Sequence, residues 1–94
     1  MKYVMFEIET KGVPMKYKLP FLFANNCVHK EVADHMHHML RRQPGCLSSK
    51  VVSAGFWRVE DGQIVCFGES ESLKAKSDPG DAAIIEMHDY CHGL

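Results

Sequence analysis

The chain has 94 residues, of which 46% are apolar and 24% are charged, and its formal net charge is −1. These values fit one globular domain over residues 1–94 and exclude a disordered chain, which needs low hydrophobicity and high net charge. Scattered basic residues and a balanced charge argue against a nucleic-acid partner. No run approaches the roughly 20 apolar residues of a membrane span, so no membrane partner is expected.

The N-terminal segment predicts a β-hairpin. Residues 3–9 alternate between two faces with a period of two, which is typical of a strand. A turn follows at Gly12, and residues 15–23 predict a second strand with every second side chain apolar. Pro20 has no N–H to donate, so the second strand is expected at a sheet edge or a bulge.

The period then changes from two to between three and four. Apolar residues with this spacing predict an amphipathic helix over about residues 29–42. Glu31 lies early and Arg41 late, as the helix dipole favours. Pro44 ends the helix.

A second hairpin is predicted over residues 50–60 and 63–69. The dipeptide Asp61-Gly62 between these apolar runs favours a two-residue type I′ turn, which fixes the register. The expected pairs are Glu60 with Gln63, Val59 with Ile64, Arg58 with Val65, Trp57 with Cys66, and Phe56 with Phe67.

The last segment predicts a polar loop and a short helix. Residues 70–77 form the loop, and Asp78 can cap a helix from Ala82 to about Tyr90, with a strand as the alternative. The fold class is therefore α+β, in the order β-β-α-β-β-α. We expect a four-stranded, mostly antiparallel sheet with both helices on one face.

Both faces of the second hairpin carry apolar side chains, although only one face of a sheet can meet helices that lie together. The other face must be exposed, covered by the loop after Gly68, or covered by a second chain. Exposed apolar patches commonly mark interaction surfaces. We predict a partner surface on Trp57, Val59 and Ile64. The expected partner is a protein, and a second copy of the chain in a homodimer is its commonest form.

The chain has six histidines, and two of them suggest a metal site. His88 and His92 are four residues apart, so one helix face would hold both, and Cys91 lies between them. The spacing matches no known zinc motif, and solvated or singly hydrogen-bonded histidines are the simpler interpretation. We predict no metal ligand, and a small His/Cys metal-binding regulator remains an alternative function.

No motif predicts catalysis or a cofactor. The run of residues 68–72 lacks the second glycine of a nucleophile elbow. Cys27 lies two residues before His29 without a third group to orient a dyad. A charged solvent loop is the simpler interpretation of Glu69 and Glu71. We therefore predict no catalytic residue, no cofactor and no enzyme.

The cysteines predict a reducing compartment. The chain has four, widely spaced and without a C-x-x-C pair, and residues 1–9 do not have the pattern of an export signal. Reduced thiols in a cytoplasm are expected.

Three runs in the C-terminal half resemble segments of small uncharacterised proteins of tailed bacteriophages and prophages. They are residues 52–56, 68–73 and 77–81, with Val28-His29 as a further shared feature, so the resemblance lies mainly within residues 51–81. It implies the cytoplasm of an infected bacterium as the setting and brings no catalytic residue. The expected function is a small non-enzymatic protein-binding module that acts on a host or phage protein. It would act through the apolar sheet surface or the segment 69–81, with a virion accessory protein as a further alternative.

Overall fold

The first hairpin forms as the alternation predicts. A computed structural model of the chain describes residues 1–88. Strand β1 (Lys2–Thr10) pairs antiparallel with strand β2 (Tyr17–Phe23). In the four-stranded sheet β2 lies at one edge, next to β1, so the placement of Pro20 at an edge is confirmed. Strand β2 begins at Tyr17, two residues later than the apolar alternation suggests.

The second hairpin has the predicted register throughout. Strand β3 (Cys46–Glu60) pairs with strand β4 (Gln63–Phe67) through the five expected pairs. Asp61 and Gly62 have φ of 52° and 79°, as a type I′ turn requires. Strand β3 begins four residues earlier than predicted, because its first part pairs with β1 as far as Thr10. Cross-strand pairing thus extends the strand through serines that the sequence alone assigns to a loop.

The segment predicted as a polar loop contains a second, small sheet. Strand β5 (Glu69–Ser70) and strand β6 (Ala75–Lys76) pair antiparallel, with a turn at residues 71–74. The Ser70 hydroxyl accepts a hydrogen bond from the Leu73 backbone N–H at 3.2 Å, which closes the turn. The order is therefore β-β-α-β-β-β-β-α, with two more strands than expected.

The two helices lie on opposite faces of the sheet, and the prediction that they share one face is wrong. Helix α1 (His29–Arg41) packs Ala33 against one face of β1, whose buried side chains are Val4, Phe6 and Ile8. Helix α2 (Asp81–His88) packs Ile85 against the opposite face, where Tyr3 and Met5 are buried. Because β1 is an inner strand and carries buried apolar side chains on both faces over residues 3–6, each face of the sheet has to be covered by its own helix.

Helix α2 begins as its sequence predicts. The Asp78 side chain accepts a hydrogen bond from the Gly80 backbone N–H at 2.8 Å. In return, Asp81 Oδ2 accepts one from the Asp78 backbone N–H at 3.1 Å. The second bond is one half of a capping box, and together the two bonds satisfy backbone N–H groups at the helix start. The alternative of a strand in this segment is excluded as far as His88. Neither helix among residues 1–88 is long and apolar enough to cross a membrane.

The exposed edges of the four-stranded sheet are all interrupted. Pro20 lies in β2, and Glu86 of α2 accepts the outward N–H of Ile64 in β4 at 3.2 Å. The part of β3 beyond β4 has two register shifts, at Val52 and at Leu47. Proline, side-chain capping and bulges each remove part of the regular row of backbone groups that another strand would need.

Candidate functional site

The predicted partner surface lies on the face that α2 covers. Trp57 and Ile64 are half-buried and pack against the cluster of Tyr3, Met5 and Ile85. Val59 lies near the hairpin turn and is 61% exposed. The apolar character of both hairpin faces therefore has an explanation within one chain. Val59 is the member of the set that a partner would reach most readily, and binding there stays a prediction.

Beneath α2, a fully buried carboxylate joins three parts of the chain. Asp81 Oδ2 accepts hydrogen bonds at 2.6 Å from the Tyr3 hydroxyl and at 2.6 Å from the Ser53 hydroxyl. These bonds fasten the start of α2 to β1 and β3. Two further polar atoms in the described part of the chain are buried without a hydrogen-bond partner, namely Asp81 Oδ1 and Trp57 Nε1.

This buried cluster has a structural role, as the ionisation of its side chains shows. Burial, followed by the hydrogen bond and charge of Asp81, raises the pKa of Tyr3 well above its ordinary value. Burial, followed by the charge of Asp81, raises the pKa of Cys66 to about 11. Both groups are neutral at physiological pH, and a thiol that is not ionised is a poor nucleophile. The cluster therefore positions α2 and offers no activated group.

The histidines do not assemble a metal site among residues 1–88, where no group of three candidate ligands lies together. His88 ends α2, and its Nε2 lies 3.1 Å from the Lys18 carbonyl oxygen. Cys91 and His92 lie outside the described residues. On α1, His37 Nδ1 lies 2.8 Å from the Ser49 hydroxyl, and its ring packs edge-on against Phe6. Burial, and then the charge of Arg41, lowers the pKa of His37.

The start of α1 is built around His29, which is only 4% exposed. His29 Nε2 lies 2.9 Å from the Gly55 carbonyl oxygen, which can only accept, so Nε2 carries the proton. Phe23 and Phe56 pack edge-on against the imidazole. Position 55 itself needs a glycine, since a Cβ there would lie 2.6 Å from the Phe67 carbonyl oxygen.

The turn after β5 completes this helix start from a distant part of the chain. Val28 makes no side-chain cap, but the Ser72 hydroxyl accepts a hydrogen bond from the Lys30 backbone N–H at 3.1 Å. Ser70 Oγ, almost fully buried, lies 3.4 Å from Ser72 Oγ. A hydroxyl from residue 72 thus supplies the cap that the residue before the helix cannot provide.

A cavity of about 320 Å³ lies where these elements meet. It is lined by Lys2, Val28, His29, Phe56, Glu69, Glu71 and Ser72. The Lys2 ammonium donates to the Cys27 carbonyl oxygen at 2.8 Å. Within residues 1–88, neither Glu69 nor Glu71 forms an ion pair, in contrast to Glu7 and Glu60. The cavity therefore presents two unpaired carboxylates beside a buried imidazole.

This site was not predicted from the sequence. The sequence predicts a charged solvent loop for Glu69 and Glu71, yet both line the same cavity. Side chains two residues apart in an extended segment lie on the same side, so the short strand that ends at Ser70 already favours this arrangement. The Ser-Glu alternation of residues 69–72 is the one local signal that marks the segment as unusual.

No family model matches this chain, and neither the curated proteins nor the solved structures contain a significant match.

Proposed function

We propose that this protein is a small, non-enzymatic protein-binding module that acts on a host or phage protein. The bacterial cytoplasm as its setting follows from the phage resemblance and belongs to the same proposal. The observation that carries it is the surface around the cavity at the start of α1, here named the α1-start surface and defined by Val28, Phe67, Glu69 and Glu71. Val28 is 44% exposed and Phe67 38%, and the two glutamates are exposed beside them.

Apolar side chains next to polar groups without partners are what a protein interface uses. The apolar groups supply area that a partner removes from water, and the polar groups select the partner. The buried Asp81 cluster supports a binding role for a different reason. It fixes α2 on the sheet through the two hydrogen bonds that Asp81 Oδ2 accepts, so it acts as a scaffold for the surfaces around it.

The test is affinity capture from bacterial lysate with quantitative mass spectrometry, followed by reconstitution with the purified partner. Three baits accompany the wild type. Glu69→Gln/Glu71→Gln neutralises the α1-start surface, Val59→Ser alters the surface predicted from the sequence, and Asp61→Asn removes an exposed charge from the hairpin turn. Asparagine suits the positive φ at position 61, so the last variant is a matched control.

The proposal expects a partner that is retained by Asp61→Asn and weakened by one of the two surface variants, with the same ranking in the reconstituted complex. Capture that is equal for all four baits would contradict binding through either surface. Absence of any saturable partner, including a second copy of the chain measured by analytical ultracentrifugation, would overturn the binding function itself.

The two alternatives have separate measurements. Elemental analysis of untagged protein tests the metal-binding regulator, which requires stoichiometric zinc or nickel bound through His88, Cys91 and His92. Mass spectrometry of purified particles tests the virion accessory protein, which must be present at a fixed copy number.

A further inference from the structure

The volume of the cavity restricts what it can hold. At about 320 Å³ it lies near the lower end of the range for ligand pockets, which runs from roughly 300 to 1,000 Å³. A single long side chain fits that volume better than a metabolite with several rings. The cavity is therefore suited to one residue of a partner protein.

The polar groups that line the cavity mostly accept hydrogen bonds. Nε2 of His29 donates to the Gly55 carbonyl oxygen, and the other ring nitrogen, Nδ1, has no partner among the described residues. The His29 side chain is more than nine-tenths buried and lines the cavity, so this nitrogen is a built feature of its wall. Glu69 and Glu71 add carboxylate oxygens. An occupant must therefore donate hydrogen bonds and carry positive charge.

Lys2 is the one cation on the cavity wall, and its ammonium is directed to the Cys27 carbonyl. Two carboxylates against one ammonium leave the lining with a net negative charge when His29 is neutral. The partial positive charge of the α1 N-terminus opposes this, but the Ser72 hydroxyl already accepts the Lys30 N–H there. Attraction for a cation remains the larger effect.

The aromatic wall favours a flat cation. Phe56 lines the cavity and stacks on Phe67 with ring centroids 5.8 Å apart. The Arg58 guanidinium lies 4.7 Å from the centroid of Phe67, so the same pair of rings already accommodates one guanidinium. A planar guanidinium can stack on a ring while its N–H groups reach carboxylates, whereas an ammonium is a compact point charge.

We propose that this cavity binds an arginine side chain of the partner protein. The guanidinium lies against Phe56, donates to Glu69 and Glu71, and lies beside Nδ1 of His29. This inference rests on the proposed function, since it assigns the residue through which the partner is recognised.

The test uses N-acetyl-arginine amide as the probe, titrated into full-length protein and followed by ¹H–¹⁵N NMR. We expect saturable shifts at His29, Phe56 and residues 69–72, including the His29 ring nitrogens. N-acetyl-citrulline amide has nearly the same shape without the charge and should bind at least several-fold more weakly. N-acetyl-lysine amide should fall between the two.

Variants assign the interaction to the lining. Each exposed ion pair contributes up to about 1 kcal/mol, so Glu69→Gln and Glu71→Gln should each weaken binding by up to about fivefold. Lys2→Met removes the competing cation and should strengthen binding. Asp61→Asn should leave it unchanged. Trp57 fluorescence and thermal unfolding of every variant establish that the fold is intact.

The outcomes separate this inference from the proposed function. Equal binding of the arginine and citrulline probes, or no saturable shift at His29, overturns the arginine site even when a protein partner is captured. Shifts of the same residues by inorganic phosphate but not by the arginine probe overturn it in favour of an anion site. An arginine probe that binds while no protein partner is captured supports the site and overturns the proposed function.

Discussion

The hydrogen bond between Tyr3 and Asp81 gives a sharp test of how α2 is held. Tyr3→Phe removes one hydroxyl and leaves the aromatic ring that packs with Met5 and Ile85. The bond is 2.6 Å long, fully buried, and made to a carboxylate. Hydrogen bonds to charged groups contribute roughly 1.5–3 kcal/mol, so we expect the free energy of unfolding to fall by about 2 kcal/mol.

For a domain of this size, 1 kcal/mol shifts Tm by roughly 4–8 °C, so the midpoint should fall by about 8–16 °C. The assay is urea and thermal unfolding followed by circular dichroism and by Trp57 fluorescence, with an unchanged m-value as evidence that the unfolding reaction is the same. Tyr17→Phe is the matched control, because this tyrosine is 44% exposed and its hydroxyl should contribute almost nothing.

A double-mutant cycle with Asp81→Asn assigns the effect to the pair. Because a neutral acceptor forms a weaker bond, Tyr3→Phe should cost about 1 kcal/mol less in the Asp81→Asn background. A loss below about 0.5 kcal/mol in the wild-type background, or equal losses in both backgrounds, would refute the argument that Asp81 fastens α2 to β1 through this hydroxyl.

Four further predictions concern ionisation, thiol reactivity and packing. The folded-state pKa values of Cys66 and Tyr3 lie above the ordinary thiol and phenol values, so the free energy of unfolding should fall as pH rises from about 9 through 11. Urea unfolding at several pH values measures this decline. Cys66→Ala should flatten its early part. At pH 8, Cys66 should react with a thiol reagent much more slowly than the exposed Cys27, and equal rates would contradict the burial of Cys66. In an NMR titration, the pKa of His37 should lie below the ordinary histidine value. In Arg41→Gln this pKa should rise only part of the way to the ordinary value, because burial is the larger cause. A return to the ordinary value would assign the shift to charge alone. Gly55→Ala should lower the free energy of unfolding by about 1–3 kcal/mol, because the new Cβ forces β3 away from the Phe67 carbonyl. Gly62→Ala is the comparison: its new Cβ meets no atom, and its cost comes from the positive φ at that position. Urea unfolding of both variants measures the difference.

Local patterns predicted the parts of this fold that depend on local chemistry. The Asp61-Gly62 turn fixed every pair of the second hairpin, because a two-residue turn leaves no freedom of register. Pro20 identified an edge strand because its missing N–H cannot serve an inner one. The capping box of α2 was also visible, since its groups lie within three residues of one another.

Features that depend on distant contacts had no such signal. Alternation along β1 shows that the strand has two faces, but it does not show which helix covers which face. Glu7 and Glu9 lie on the same face as Tyr3 and Met5, so the apolar part of that face is hard to recognise from the sequence. Asp81 looks like an ordinary cap, because its bond to Tyr3 spans 78 positions. The cavity brings together Lys2, His29, Phe56 and the turn after β5, which no short sequence window contains.

The interrupted sheet edges affect how copies of this protein behave when crowded. A β-polymer grows when the outer strand of one molecule templates the next, and it needs a straight row of free backbone groups at both ends. In the four-stranded sheet, Pro20 interrupts the row in β2, Glu86 interrupts it in β4, and two bulges interrupt it in β3. Molecules at high concentration therefore meet through side chains rather than by backbone pairing. Self-association, where it occurs, should not extend into β-fibres by pairing of strand edges.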